Sequence, residues 1–115
     1  MPVRLNRAHG KPEDLLDWHL QASHLPTPVR QFRATPPRKF AWDFAWPALR
    51  LLVDVQGGTW KLGGHSSGTG IARDAVKLNL ATLAGYRVLL VTTNHVQSGQ
   101  ALAWIEQAIR TRSDG

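Results

Sequence analysis

The sequence predicts an α/β fold: one mixed four-stranded sheet flanked by helices, in the order helix, three strands, helix, strand, helix (αβββαβα). Three observations carry this expectation. Residues 40–46 alternate, placing Phe40, Trp42, Phe44 and Trp46 on one face and Ala41, Asp43 and Ala45 on the other; strict alternation with aromatic enrichment marks a strand. Residues 51–56, Leu-Leu-Val-Asp-Val-Gln, are almost wholly apolar, as in a central strand buried on both faces. A chain that leaves at Gln56 and returns in a strand at Tyr86 through a helix makes a crossover, and a crossover pairs strands in parallel.

Each element has its own signal. Pro12 opens a helix over Glu13 to about Ser23, because Pro suits the first helical position and Glu13, Asp14 and Asp17 suit the positive end of the dipole. Leu16 and Leu20 face inward, with Leu15 or His19 beside them, and Leu25-Pro-Thr-Pro28 stops the helix. Residues 29–34 form a short, arginine-rich edge strand, and Pro36-Pro37 turns the chain into the two central strands, which Pro47 separates. Thr69 or Gly70 caps a helix over residues 71–84 that ends at Gly85. Its expected inward stripe is Ile71, Ala75, Leu78 and Thr82, with Val76, Leu80 and Leu83 alongside. Residues 86–93 make the last strand. Ser98 starts a final helix over residues 99–110 that buries Leu102, Ile105 and Ile109. Residues 1–11 form a basic arm, 12–110 the domain and 111–115 a tail.

Composition narrows the setting. The 115 residues suit one domain, small enough to make oligomerisation plausible. Lys+Arg 14 against Asp+Glu 8 gives +6 and a pI near 10.8, which favours a polyanionic partner, nucleic acid ahead of an anionic membrane. There are no cysteines, so disulfides and thiolate zinc sites are excluded. No apolar run reaches the roughly 18 residues of a membrane span, and no signal-peptide core opens the chain. The expectation is a soluble, cytoplasmic protein with no membrane partner.

The chemistry concentrates on two acids. Asp43 and Asp54 fall on neighbouring strands, roughly 5 Å apart laterally. Two such carboxylates repel without a cation, and an unpaired charge in a strand is costly. Two readings follow: a divalent metal between them, or two strand-end acids that are solvated or paired with arginine. Six of the fourteen residues from Gly57 to Gly70 are glycine, yet neither phosphate-loop spacing is present. Lys61 and His65 lie on that loop. Arg73, Asp74 and Lys77 cluster on one polar helix face by their spacing.

The words around these acids resemble those of a known family. Arg38-Lys-Phe-Ala-Trp-Asp-Phe-Ala-Trp46, Gln56-Gly-Gly-Thr-Trp60, Asp74-Ala-Val-Lys-Leu-Asn79 and Gly85-Tyr-Arg-Val-Leu89, together with the element order, are similar to small phage-encoded members of the PD-(D/E)XK nuclease superfamily. That superfamily includes type II restriction enzymes, Holliday junction resolvases and very-short-patch repair nucleases. The resemblance spans roughly residues 13–110 and implies a restriction-endonuclease-like core. Asp43 matches the family's first acid, and Asp54-Val55-Gln56 matches its (D/E)-x-K triplet with glutamine in place of lysine.

What the resemblance implies is a Mg²⁺-dependent DNA endonuclease, with Mn²⁺ able to substitute, in the host cytoplasm if phage-encoded. Asp43, Asp54 and the carbonyl of Val55 or Gln56 would hold the metal, joined by Glu13, Asp14 or Asp17 from the first helix. Gln56 can carry no charge, and Lys77 would supply the amine from the following helix, as in relatives whose lysine has moved there. Arg38, Lys39, Lys61, His65 and Arg73 are the candidate DNA contacts. The absence of a separate recognition module tilts the substrate towards branched or junction DNA. Symmetric cutting of two strands calls for a homodimer, and Trp42, Trp46 or Trp60 either supply its apolar patch or belong to the core. Two rival readings are an HNH-type nuclease built on His65, Asn79 and His95, and a catalytically inactive nucleic-acid-binding module of the same fold.

Overall fold

The computed structural model describes residues 11–56 and 68–112. Pro12 and the acids Glu13 and Asp14 open α1 (Pro12–Ala22), which buries Leu16 and Leu20. Ser23 closes it, donating from its backbone N–H and from its hydroxyl to the Leu20 carbonyl at 3.1 and 2.7 Å. The chain then forms β1 (Val29–Phe32), β2 (Trp42–Trp46), a single 3₁₀ turn (Pro47–Leu49) and β3 (Leu51–Gln56). Helix α2 (Gly68–Leu83) leads to β4 (Arg87–Thr92), α3 (Thr93–Ser98) and α4 (Gln100–Arg112). Gly85 takes φ +92 after α2, the left-handed conformation expected of a residue that ends a helix.

The sheet order is β1-β2-β3-β4. The first two pairings are antiparallel and β3–β4 is parallel, with Leu52 opposite Val88 and Val55 opposite Val91. The fold class is therefore as expected: α/β, with one mixed four-stranded sheet between helices. Leu51, Leu52 and Val53 are fully buried, and burying each such side chain stabilises by about 1.5–3 kcal/mol. One sheet face packs Phe44, Trp46, Leu51, Val53 and Val91 against Leu16 and Leu20 of α1, Val96 of α3 and Ile105 of α4. The other face packs Ala45 and Leu52 against Ala81 and Leu78 of α2.

The structure differs from expectation in four places. Residues 93–98 form a helix of their own, so the order is αβββαβαα. The cause is a capping box: Thr92 Oγ1 accepts from the His95 N–H, and His95 Nδ1 accepts from the Thr92 N–H at 2.9 Å. Gly99, at φ +89, then separates α3 from α4, which continues to Arg112, past the expected start of the tail.

The aromatic alternation breaks at Asp43. Phe44 and Trp46 join the larger core, whereas Trp42 packs with Leu52 and Ala81 on the opposite side, and Phe40 lies outside the strand. Trp42 and Trp46 are 1% and 4% exposed, so neither supplies a docking patch. Finally, α2 is rotated. Ile71 (62%), Ala75 and Thr82 are exposed, while Lys77, Leu78 and Ala81 face the sheet, because Lys77 reaches the acid on β3. The expected arm at residues 1–10, the glycine-rich loop at 57–67 with Trp60, and residues 113–115 lie outside the described residues.

Candidate active site

The ladder between β2 and β3 pairs Trp46 with Leu51, Ala45 with Leu52 and Phe44 with Val53. One step further, where Asp43 comes opposite Asp54, side chains take over from the backbone. The Asp43 N–H donates to Asp54 Oδ1 at 3.1 Å, and the Val55 N–H donates to Asp43 Oδ2 at 2.8 Å. Each carboxylate thus fills a ladder position on the neighbouring strand, and backbone donors partly offset the cost of burying the two charges.

Neighbouring elements complete the arrangement. From α2, Lys77 Nζ meets Asp54 Oδ2 at 2.7 Å, with the two side chains 18% and 17% exposed. The same ammonium lies 4.5 Å from the Trp42 ring centroid, a cation–π contact in a largely desolvated setting. From β1, Gln31 Nε2 donates to Asp43 Oδ1 at 3.2 Å, and Arg30 Nε donates to the Asp43 carbonyl at 3.1 Å. Arg30 also pairs with Asp17 of α1 at 3.3 Å, which ties the first helix to the strand bearing Asp43.

The electrostatics follow from this geometry. Burial pushes the Asp54 carboxyl up to about 6; the Lys77 hydrogen bond and charge oppose the rise, and the Asp43 charge adds to it. Glu13 is also raised, first by burial, then by the charges of Asp43 and Asp14, with Lys11 and Arg30 opposing. Of the three first-helix acids, Asp17 is held by Arg30 and Gln21 and Asp14 is exposed, which leaves half-buried Glu13, whose shift includes the Asp43 charge, as the candidate from that helix.

The structure brings together Asp43, Asp54, Val55 and Lys77 from β2, β3 and α2. Gln56 is exposed at the end of β3, on the strand face that carries Asp54. Arg38 is exposed, its guanidinium 4.9 Å from the Phe40 ring centroid, and Lys39 and Arg73 are exposed, Arg73 one turn before Lys77. Lys61 and His65 lie outside the described residues. His95 is committed to the α3 capping box and to an edge contact with Trp104 at 4.8 Å, and Asn79 is exposed on α2. Among the described residues, no three His, Cys, Asp or Glu side chains form a ready metal cage.

Sequence reasoning missed Gln31, Arg30 and Trp42. Gln31 and Arg30 lie on a four-residue strand too short to show a pattern, and Trp42 read as part of an aromatic stripe. No known protein family, curated protein or solved structure matches the chain. Among the described residues, no helix is long and apolar enough to cross a membrane.

Proposed function

We propose that this chain is a Mg²⁺-dependent DNA endonuclease of the PD-(D/E)XK type. The observation that supports it most is the meeting of Asp43, Asp54 and Lys77, two carboxylates and an amine from three separate elements, at the spot where the β2–β3 ladder gives way. The donor set fits the ion. Mg²⁺ binds through one or two carboxylates and keeps waters and substrate phosphate as its other ligands, so a full protein cage is not required. Asp43 and Asp54, with the Val55 carbonyl, would hold it, and Glu13 is the first-helix acid that would join them. When bound, the ion would neutralise charge building on the phosphoryl group.

The chain's own residues do the rest. Lys77 occupies the cation position beside Asp54, held by the carboxylate and the Trp42 ring. From there it orients a water toward the phosphate, the role that uncharged Gln56 cannot fill. Arg38, Lys39 and Arg73 offer charge to the DNA backbone, which carries affinity without reading sequence, in keeping with a branched or junction substrate. The reading includes a homodimer, since symmetric cutting of two strands needs two related sites. The exposed apolar residues Ile71, Val76, Leu83 and Leu90, not the buried tryptophans, are available to it. A sedimentation mass of one chain at micromolar concentration would exclude the dimer.

One observation favours the inactive DNA-binding alternative: both carboxylates accept ladder N–H groups, which gives them a structural reason to be present. Incubation with supercoiled plasmid and a four-way junction in Mg²⁺ separates the two. The wild type is expected to nick or resolve the DNA. Asp54→Asn, which still offers an oxygen to the Asp43 N–H, is expected to bind DNA in Ca²⁺ without cutting it. Cleavage by Asp54→Asn within about tenfold of wild type, or none by the wild type, refutes the reading.

A further inference from the structure

Gln31 sits inside β1 at φ +49, in the left-handed region that side chains with a Cβ adopt only at a cost. Its neighbours Val29, Arg30 and Phe32 pair regularly with Ala45, Phe44 and Trp42, and the ladder skips Gln31. Glycine or asparagine would occupy this backbone position with less strain. The residue is exposed, so burial of apolar surface does not repay the conformation. Among the described residues its side chain makes one hydrogen bond, from Nε2 to Asp43 Oδ1 at 3.2 Å. The other oxygen of that carboxylate takes the Val55 N–H at 2.8 Å. Two donors on two oxygens fix the plane of the carboxylate, and Gln31 is the only one of the two supplied by a side chain.

We propose that Gln31 is a positioning residue: its strained backbone aims the amide at Asp43 and holds that carboxylate in the orientation needed to bind the metal. The proposal rests on the nuclease reading. Partners that orient a metal ligand typically carry about 10–100-fold of affinity or activity, and local strain at such a point is characteristic of functional sites.

The two substitutions that test it are Gln31→Gly, which removes contact and strain together, and Gln31→Ala, which removes the contact and keeps the strain. Mg²⁺-dependent cleavage at saturating DNA, Mn²⁺ titration calorimetry and thermal melting are measured on each full chain. Gln31→Gly is expected to melt at or above the wild-type temperature, with kcat lowered about tenfold and Mn²⁺ affinity about tenfold weaker. Gln31→Ala is expected to match those losses and to melt lower than Gln31→Gly. A structural hydrogen bond alone would instead make Gln31→Gly melt lower with kcat preserved. Unchanged kcat and Mn²⁺ affinity in Gln31→Gly beside an active wild type overturn the Gln31 role alone, as does an activity loss fully matched by unfolding. A wild type that neither cleaves DNA nor binds Mn²⁺ overturns the nuclease reading, and the positioning role with it.

Discussion

Replacing Asp54 by asparagine is expected to stabilise the metal-free protein at neutral pH, relative to wild type, far more than in mild acid. Burial lifts the Asp54 carboxyl from 3.8 to about 6 in the folded chain, even with Lys77 beside it. A group whose folded pKa is raised binds its proton more tightly in the folded state. Stability is therefore highest below the unfolded value near 4 and falls as pH rises toward 6, where the penalty is complete. At about 1.4 kcal/mol per pKa unit, the difference amounts to about 3 kcal/mol, or on the order of 10 °C in Tm for a domain of this size. Thermal melts by circular dichroism, in EDTA from pH 4 to 7.5, measure the effect. The gap between Asp54→Asn and wild type should widen by about 10 °C. A gap that stays flat or narrows refutes the conclusion that burial outweighs the lysine.

Two further outcomes follow from the site. Lys77→Ala should lower kcat by at least about a hundredfold, as loss of a water-activating group does, with DNA affinity nearly intact in filter binding. Gln56→Lys added to that variant should recover part of the rate, and Arg73→Ala should change the salt dependence of binding more than turnover. Glu13→Gln should raise the Mg²⁺ concentration for half-maximal cleavage about tenfold, while Asp14→Asn leaves it unchanged; equal effects from the two would remove Glu13 from the site.

Much of this was legible in the sequence because it depended on patterns with a single physical cause. The apolar run at residues 51–56 means a strand buried on both faces, and a helix between two strands forces a parallel pair, so sheet and crossover followed. Asp43 and Asp54 stood out because charge is rare where they sit. The rest depended on tertiary geometry. The aromatic stripe read as one face because alternation assumes a regular strand, and the strand turns over at Asp43. The stripe of α2 was misplaced because hydrophobic periodicity set the inward stripe through Ile71 and Ala75, whereas Lys77, Leu78 and Ala81 face the sheet, with Lys77 paired to Asp54, and Ile71 lies outside. Gln31 left no trace, since a left-handed residue in a short strand is not encoded by residue type unless it is glycine or asparagine. The signal for α3 was present: Thr92 and His95 have capping-box spacing, with histidine in the place of the usual glutamate.

The sequential strand order has a consequence for how the site is assembled in time. The hydrogen bonds joining Asp43 to Asp54 and Val55 close segments of 11 and 12 residues, whereas the Lys77–Asp54 pair closes 23. Shorter closures lose less chain entropy, about 0.6 kcal/mol for each halving of length, so the β2–β3 hairpin is expected to bring the two acids together before α2 docks. During that interval they face each other without the lysine. Folding should accordingly slow as the acids ionise, and removing Lys77 should act chiefly by hastening unfolding, as expected for an interaction absent from the transition state. The lysine then governs the lifetime of the folded chain more than the speed of its formation.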